Sequence, residues 1–296
     1  MDEIRIIAEN LSDANGLWKD SRVLRRAQLS DLAEQIHRRL EEDEEGEQTL
    51  ASLYREFEEQ QALQELAGEG TAAHSLTLYT RIELCKALTR LRGAEAVPLY
   101  DFPDPVIAYF QNPYAGRILQ AVVELLEGGE ATDAEDYADA CEGVVEGRYD
   151  FCLLPVESAR DGVMNRFVQL IDQYGLFTVL LCHLEIGEEE YIRFALLSAS
   201  PCEIGNADRL QLRVVPGKER LWELLFAGEA LGAKLCDCRL LQGGEEAAYQ
   251  LTFSVENADL TAFQHYLELG GSRSTVTGYY KQITLPLEGR QELLYS

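Results

Sequence analysis

Hydrophobic and polar positions change their period along this chain. Over the first 93 residues the apolar positions recur every three or four residues. Leu24, Leu29, Leu32, Ile36 and Leu40 form one stripe, Leu50, Leu53, Phe57 and Leu63 a second, and Leu76, Leu78, Ile82, Leu84 and Leu88 a third. Residues at that spacing share one face of an α-helix. An acidic run over residues 41–47 separates the first two stripes, and Gly68-Glu69-Gly70 precedes the third. The pattern predicts an antiparallel helical region over residues 1–95. Residues 93–105, with three prolines, read as a linker.

From Val106 the pattern alternates between short apolar runs and amphipathic stretches. It predicts a strand over 106–110, a helix over 116–127 ended by Gly128-Gly129, and a helix over 133–146 capped by Asp133. A buried strand over 151–154 and a helix over 162–174 follow. Strand and helix in alternation imply an α/β layer with parallel pairing. The runs 177–186 and 191–197 flank Gly187-Glu188-Glu189-Glu190 and read as a hairpin. The remaining stretch gives strands over 210–215, 233–241, 248–255 and 275–280 and helices over 219–231 and 259–269. That order, βαββαβ, is the ferredoxin-like split unit.

Charge narrows the partners. With 52 acidic against 26 basic residues the chain carries a formal −26, which repels phosphate backbones and anionic lipid, so neither nucleic acid nor a membrane surface is expected as a partner. No apolar run approaches the roughly eighteen residues that cross a bilayer, and Met1-Asp2-Glu3 lacks the basic start of a secretory signal. A cytoplasmic location is the expectation. Seven cysteines, an odd number lying mostly in apolar runs, read as reduced thiols. Cys236 and Cys238 would share one strand face, yet no second pair or histidine completes a ligand set, so no metal is expected. No cofactor is expected either, and Gly128-Gly129, Gly243-Gly244 and Gly270-Gly271 are turn punctuation, since none forms a phosphate-cradling motif after a strand.

The stretch from Gly147 to Asn165, with Pro155, Glu157, Gly162 and Asn165 in register, resembles the signature segment of prephenate dehydratases, in which a strand ends in a Pro-x-Glu-Asn-Ser turn and a glycine opens the next helix. Leu170 to Leu176 continues the likeness, Ile107 to Gln111 resembles the family's opening strand, and Ile192-Arg193-Phe194 resembles its Thr-Arg-Phe strand. The βαββαβ unit, with Gly232-Ala233-Lys234-Leu235 and Val276 to Tyr280, is similar to the ACT regulatory domain. The helical front is loosely similar to chorismate mutase, as in fused enzymes of L-phenylalanine biosynthesis. The resemblance implies an α+β or α/β chain with three parts. These are a chorismate-mutase-like helical region over 1–95, one lobe of a periplasmic-binding-protein-like α/β domain over 104–200, and an ACT-like domain over 207–286.

Departures from the family pattern bear on activity. The family builds a second catalytic lobe where this chain has only residues 187–190, and four residues cannot make a lobe. Ile192 stands where the family has its catalytic threonine, and it has no hydroxyl to offer a leaving group. Ala115-Gly116-Arg117-Ile118 replaces a hydroxyl-bearing segment, Ser158 and Ala159 replace Asn and Ser, and Glu219 and Arg239 to Gln242 replace the phenylalanine-binding motifs. The expected function is therefore a dehydratase homologue without catalytic residues, acting as a regulatory or assembly protein. The alternative is a divergent prephenate dehydratase or chorismate mutase whose site a dimer partner completes. Glu157, Ser158, Arg193, Arg117 and Asn165 are the candidate ligand-binding residues. Arg193 can grip a carboxylate by two N–H groups, and Arg117 lies at a helix start where anions bind. Against this stand an ion pair on the sheet rim for Glu157 and Arg193, and a merely solvated Arg117. His183 reads as a structural histidine. A homodimer is expected, with a small carboxylate or amino acid as the candidate ligand.

Overall fold

A computed structural model of the chain describes residues 29–43, 49–50, 52–56, 73–92, 104–204, 206–215, 221–241, 248–269 and 273–286. In chain order the elements are α1 (29–42), α2 (52–56), α3 (Ala73–Arg92), β1 (Val106–Tyr109), α4 (Ala115–Leu125), β2 (Glu130–Asp133), α5 (Tyr137–Val145), β3 (Phe151–Ser158), β4 (Gly162–Val163), α6 (Asn165–Tyr174), β5 (Phe177–Glu185), β6 (Tyr191–Ser198), β7 (Arg209–Val215), α7 (Leu221–Ala230), β8 (Lys234–Leu241), β9 (Ala248–Ser254), α8 (Leu260–Leu269) and β10 (Arg273–Leu285). They form a mixed α/β structure. Two units are present, a helical one within residues 1–95, 216–233 and 257–272, and a sheet unit within 96–215, 234–256 and 273–296.

The helical unit buries the stripes seen in the sequence. Leu29, Ala33 and Ile36 of α1, Leu53 and Tyr54 of α2, and Leu78, Ile82, Leu84, Cys85 and Leu88 of α3 are buried, together with Ala262, Phe263 and Tyr266 of α8. α3 packs on α7 and α8, and the Arg81 guanidinium lies 4.9 Å from the centre of the Tyr266 ring. Gly232 follows α7 with φ +89°, where a β-carbon would sit 2.6 Å from the Asn257 carbonyl oxygen, so only glycine fits that turn. Leu24, Phe57, Leu63 and most of the 93–105 linker lie outside the described residues, as does much of the chorismate-mutase-like stretch. Among the described residues no helix is long and apolar enough to cross a membrane.

The ten strands of the described residues join one sheet in the order β2-β1-β3-β6-β5-β10-β7-β9-β8, with β4 paired to β3. β1 pairs in parallel with β2 and β3, as strand-helix alternation predicts. β5 and β6 form the expected hairpin, Glu185 opposite Tyr191, so the chain does turn back across residues 186–190 with nothing inserted. The last four strands lie in the order β10-β7-β9-β8, antiparallel throughout, and β10 joins them to β5 in parallel. Segments 104–200 and 207–286 thus contribute to one sheet, while α7 and α8 group with the helical unit.

Three local readings are corrected. Residues 130–133 form an edge strand instead of leading into a helix, and the cap of α5 is Asp136, whose Oδ1 accepts from the amides of Ala138 (2.7 Å) and Asp139 (2.9 Å). Its position two and three residues upstream of those amides is what an N-cap needs; Asp133 is too far. Gly162 opens β4 at φ +65° and α6 begins only at Asn165. The alternation expected for Cys236 and Cys238 is broken, because Leu235 faces Phe253 and Asp237 faces Thr252, leaving Cys236 as the extra residue of a bulge.

Two apolar layers flank the β1 to β6 region. One combines Ile107, Ile118, Val122, Phe151, Leu184, Ile192, Phe194 and Leu196 with their neighbours. The other combines Ala108, Cys141, Val144, Cys152, Leu154, Leu176, Ala195 and Leu197. Burial in these layers pushes the Cys152 thiol up and that of Cys182 up to about 12, so both stay protonated and act as small apolar groups.

Candidate functional site

Strand alternation decides which residues of β7 face where. Leu210, Leu212 and Val214 are buried on one side, and Arg209, Gln211, Arg213 and Val215 fall on the other. Those four line a pocket of about 700 Å³ lying wholly within the sheet unit, a size that suits a small organic ligand. Its floor is polar and comes from β7 to β10, including Asp237, Arg239, Gln250, Thr252, Thr277 and Tyr280. Its wall is largely apolar and comes from β3, β5, β6, α6 and the α6–β5 connection, including Val156, Val168, Ile171, Leu176, Leu181 and Ala195.

Bulges aim the charged side chains. Pro155 faces Phe194 and Glu157 faces Arg193, so Val156 is an extra residue, and β3 presents both Val156 and Glu157 to the pocket. A regular strand would send them to opposite faces. The bulge at Cys236 has the same effect on β8, where Cys236, Asp237 and Arg239 all line the pocket. Arg239 then lies opposite Gln250, and Gln250 opposite Arg213. The α-carbons of the two arginines are therefore roughly 10 Å apart across three strands spaced ~4.8 Å.

Glu157 is the hub of the charges. Its Oε1 accepts from the Tyr191 hydroxyl at 2.8 Å and from Arg193 Nη1 at 3.1 Å. Its Oε2 accepts from Arg193 Nη1 at 3.1 Å and Arg239 Nη2 at 3.0 Å. Burial alone raises the carboxyl pKa, but the bonds from Tyr191 and Arg239 and the charges of Arg193 and Arg239 outweigh it, and the net shift is downward. Arg239 also pairs through Nε with Asp237. Arg213 meets Asp172 of α6 at 3.5 Å and Arg209 meets Asp208 at 3.4 Å. Four guanidiniums are thus matched by four carboxylates. Two of the pairs, Arg239 with Glu157 and Arg213 with Asp172, join floor to wall.

Arg193 Nε donates to His183 Nδ1 at 3.2 Å, and the His183 ring stacks on Tyr191 at 4.7 Å. Burial and then the Arg193 charge hold His183 below its ordinary pKa, which keeps Nδ1 available as the acceptor. His183 orients the arginine from the neighbouring strand.

Of the five candidate residues, the structure brings Glu157 and Arg193 together in the pocket. Ser158 is buried and closes a turn, its hydroxyl 3.1 Å from Asp161 Oδ2 and accepting from the Asp161 amide at 3.0 Å. Asn165 is exposed at the start of α6. Arg117 donates to the Pro286 carbonyl. None of these three lines the pocket. Ile192 sits in the apolar layer, 9% exposed, on the strand face away from Arg193. Of the floor residues, Arg209 and Arg213 were not picked out from the sequence, and Arg239 was named only as the start of a stretch that replaces a phenylalanine-binding motif. The signal that carried two of them is the period-two pattern Arg209-Leu-Gln-Leu-Arg213, a polar face with a positive charge at each end.

No protein-family model matches the chain, and no curated protein matches its sequence. Among solved structures it is similar to prephenate dehydratase from Streptococcus mutans, with 18% identity and a TM-score of 0.49 over 60% of this chain and 98% of that one. It is also similar to prephenate dehydratase of Arthrobacter aurescens in complex with L-Phe, with 10% identity and a TM-score of 0.46 over 59% and 89% of the two chains. A third similar structure is GqqA, described as a novel type of quorum quenching acylase, with 18% identity and a TM-score of 0.45 over 59% and 94%.

Proposed function

We propose that this chain keeps a prephenate-dehydratase-like scaffold without the dehydration chemistry, and that it works as a regulatory or assembly protein responsive to a small carboxylate or amino acid taken into the pocket that Glu157 and Arg193 line. The observation that carries the reading is the return of the chain from β5 to β6 across five residues, Glu185 facing Tyr191, where the resemblance calls for a second lobe. The side chains agree. Ile192 has no hydroxyl and points into the apolar layer; among the described residues around Arg193, Glu157 is held ionised by its donors, the Tyr191 hydroxyl is already engaged as a donor to Glu157, and His183 spends its unprotonated nitrogen on Arg193. A general acid must carry a proton at working pH and reach the leaving group.

Binding is supported by the pocket itself, which offers guanidinium donors in the forked geometry that suits carboxylates. The test pairs two measurements on the full chain. Prephenate should not be converted to phenylpyruvate, and at least one of chorismate, prephenate, phenylpyruvate, phenylalanine and tyrosine should raise the thermal midpoint, since a ligand that binds only the folded form stabilises it. Dehydration at a rate sensitive to Arg193→Ala would overturn the non-catalytic reading. We also propose a homodimer through β8, which among the described residues pairs only with β9 and carries Leu235 and Leu240 at 43% and 56% exposure. An unpaired strand edge with apolar side chains invites a second copy, and a monomer in light scattering at micromolar concentration would refute it.

A further inference from the structure

Arg239, on the pocket floor, is bonded to a carboxylate of the pocket wall, Glu157. Glu157 receives four hydrogen bonds, three of them from Tyr191 and Arg193, so it remains satisfied if Arg239 leaves. Arg239 is the more exposed partner of that pair, its side chain 33% accessible against 13% for Glu157, and it rises from the floor in the row Arg239-Gln250-Arg213. Releasing it from Glu157 costs one bond to a carboxylate that keeps three others. An incoming carboxylate replaces that bond in kind, and a guanidinium can meet it with two N–H groups where Glu157 takes one from Nη2.

We propose that the pocket takes a monocarboxylate with a compact apolar body, and that Glu157 holds Arg239 in the ligand's absence so that binding exchanges one carboxylate for the other. This rests on the carboxylate-binding reading above and narrows it. Charge selects the class. The four arginines are already balanced by Glu157, Asp172, Asp208 and Asp237, so one added negative charge is tolerated more readily than the two of a phosphate monoester. Among the described residues an ammonium group finds no carboxylate in the pocket that is not already holding a guanidinium, which disfavours a zwitterionic amino acid. The wall of Val156, Val168, Ile171, Leu176 and Leu181 accepts hydrocarbon, whose removal from water supplies affinity.

The experiment titrates the full chain with 3-phenylpropionate by calorimetry, with 3-phenylpropanamide and L-phenylalanine as the uncharged and zwitterionic comparisons. Wild type is expected to bind phenylpropionate at least tenfold tighter than phenylalanine. Glu157→Gln removes the competitor and should bind phenylpropionate at least fivefold tighter, Arg239→Gln at least tenfold weaker, and the amide should respond to neither change. Wild-type binding with no gain in Glu157→Gln, or with the loss appearing in Arg209→Gln instead of Arg239→Gln, overturns the exchange and leaves the carboxylate reading standing. Tighter binding of phenylalanine overturns the ligand class alone. Failure of every variant to bind any carboxylate removes both. If Glu157→Gln does not unfold cooperatively, Asp237→Asn frees the same guanidinium from its Nε side. It is then expected to tighten phenylpropionate binding at least twofold, and the absence of that gain counts against the exchange.

Discussion

Placing a threonine at position 192 tests the packing and the chemistry together. Ile192 is 9% exposed and shares its layer with Phe151, Leu184, Phe194 and Leu196. Its neighbours across the strands are Leu184 on β5 and Ser158 on β3, and the Ser158 hydroxyl is already engaged by Asp161. Ile192→Thr keeps the branched β-carbon and exchanges an ethyl group for a hydroxyl. Losing one buried methylene costs about 0.5–1.5 kcal/mol in comparable cores, and burying a hydroxyl where a methyl stood adds about 1–3 kcal/mol when no partner is at hand. The sum is about 1.5–4.5 kcal/mol, a large part of a typical folding free energy of about 5–15 kcal/mol. The assay is urea unfolding followed by far-UV circular dichroism, with the midpoint shifted down and the slope unchanged. Prephenate turnover should stay at background, because residues 192, 194 and 196 face the apolar layer while 193 and 195 line the pocket. A loss below about 0.5 kcal/mol would refute the packing argument, and the appearance of dehydratase activity would refute the orientation argument.

Three further outcomes follow from the same geometry. The Glu157 carboxyl is held below its ordinary pKa, so its contribution to stability is complete above the unfolded value of about 4.3 and is lost as pH falls through the lower folded value; the unfolding midpoint of wild type should drop more steeply than that of Glu157→Gln below about pH 5, and parallel curves would show that Glu157 is not stabilised by its donors. Asp136→Ala removes the side-chain acceptor for two α5 amides and should cost about 1 kcal/mol by denaturant titration, with Asp133→Ala nearer zero. Gly232→Ala forces a β-carbon to within 2.6 Å of the Asn257 carbonyl at a positive φ and should destabilise the helical unit by more than about 1 kcal/mol, read as faster amide exchange in α7 and α8.

How much of the site was legible is clearest from Arg193 and Arg239. Arg193 lies within eight residues of the β5–β6 turn, so the hairpin alone fixes its strand and its neighbour His183. Arg239 meets Glu157 from 82 positions away, and no local pattern reports that distance. The edge strand β2 was missed for a related reason. Glu130 to Asp133 has no apolar alternation, and it pairs only because β1 presents a free edge beside it.

The chain's local chemistry decided the elements: three- and four-residue spacing made helices, period-two spacing made strands, and the short Gly-Glu turn forced β6 back against β5. Tertiary structure decided the pocket. Its floor and wall are separate stretches of chain joined through the parallel pairing of β10 with β5, and its charged side chains reach it through bulges at Val156 and Cys236. A bulge exists only where two strands of unequal count are held in register, so it belongs to the pairing and is written in neither strand alone.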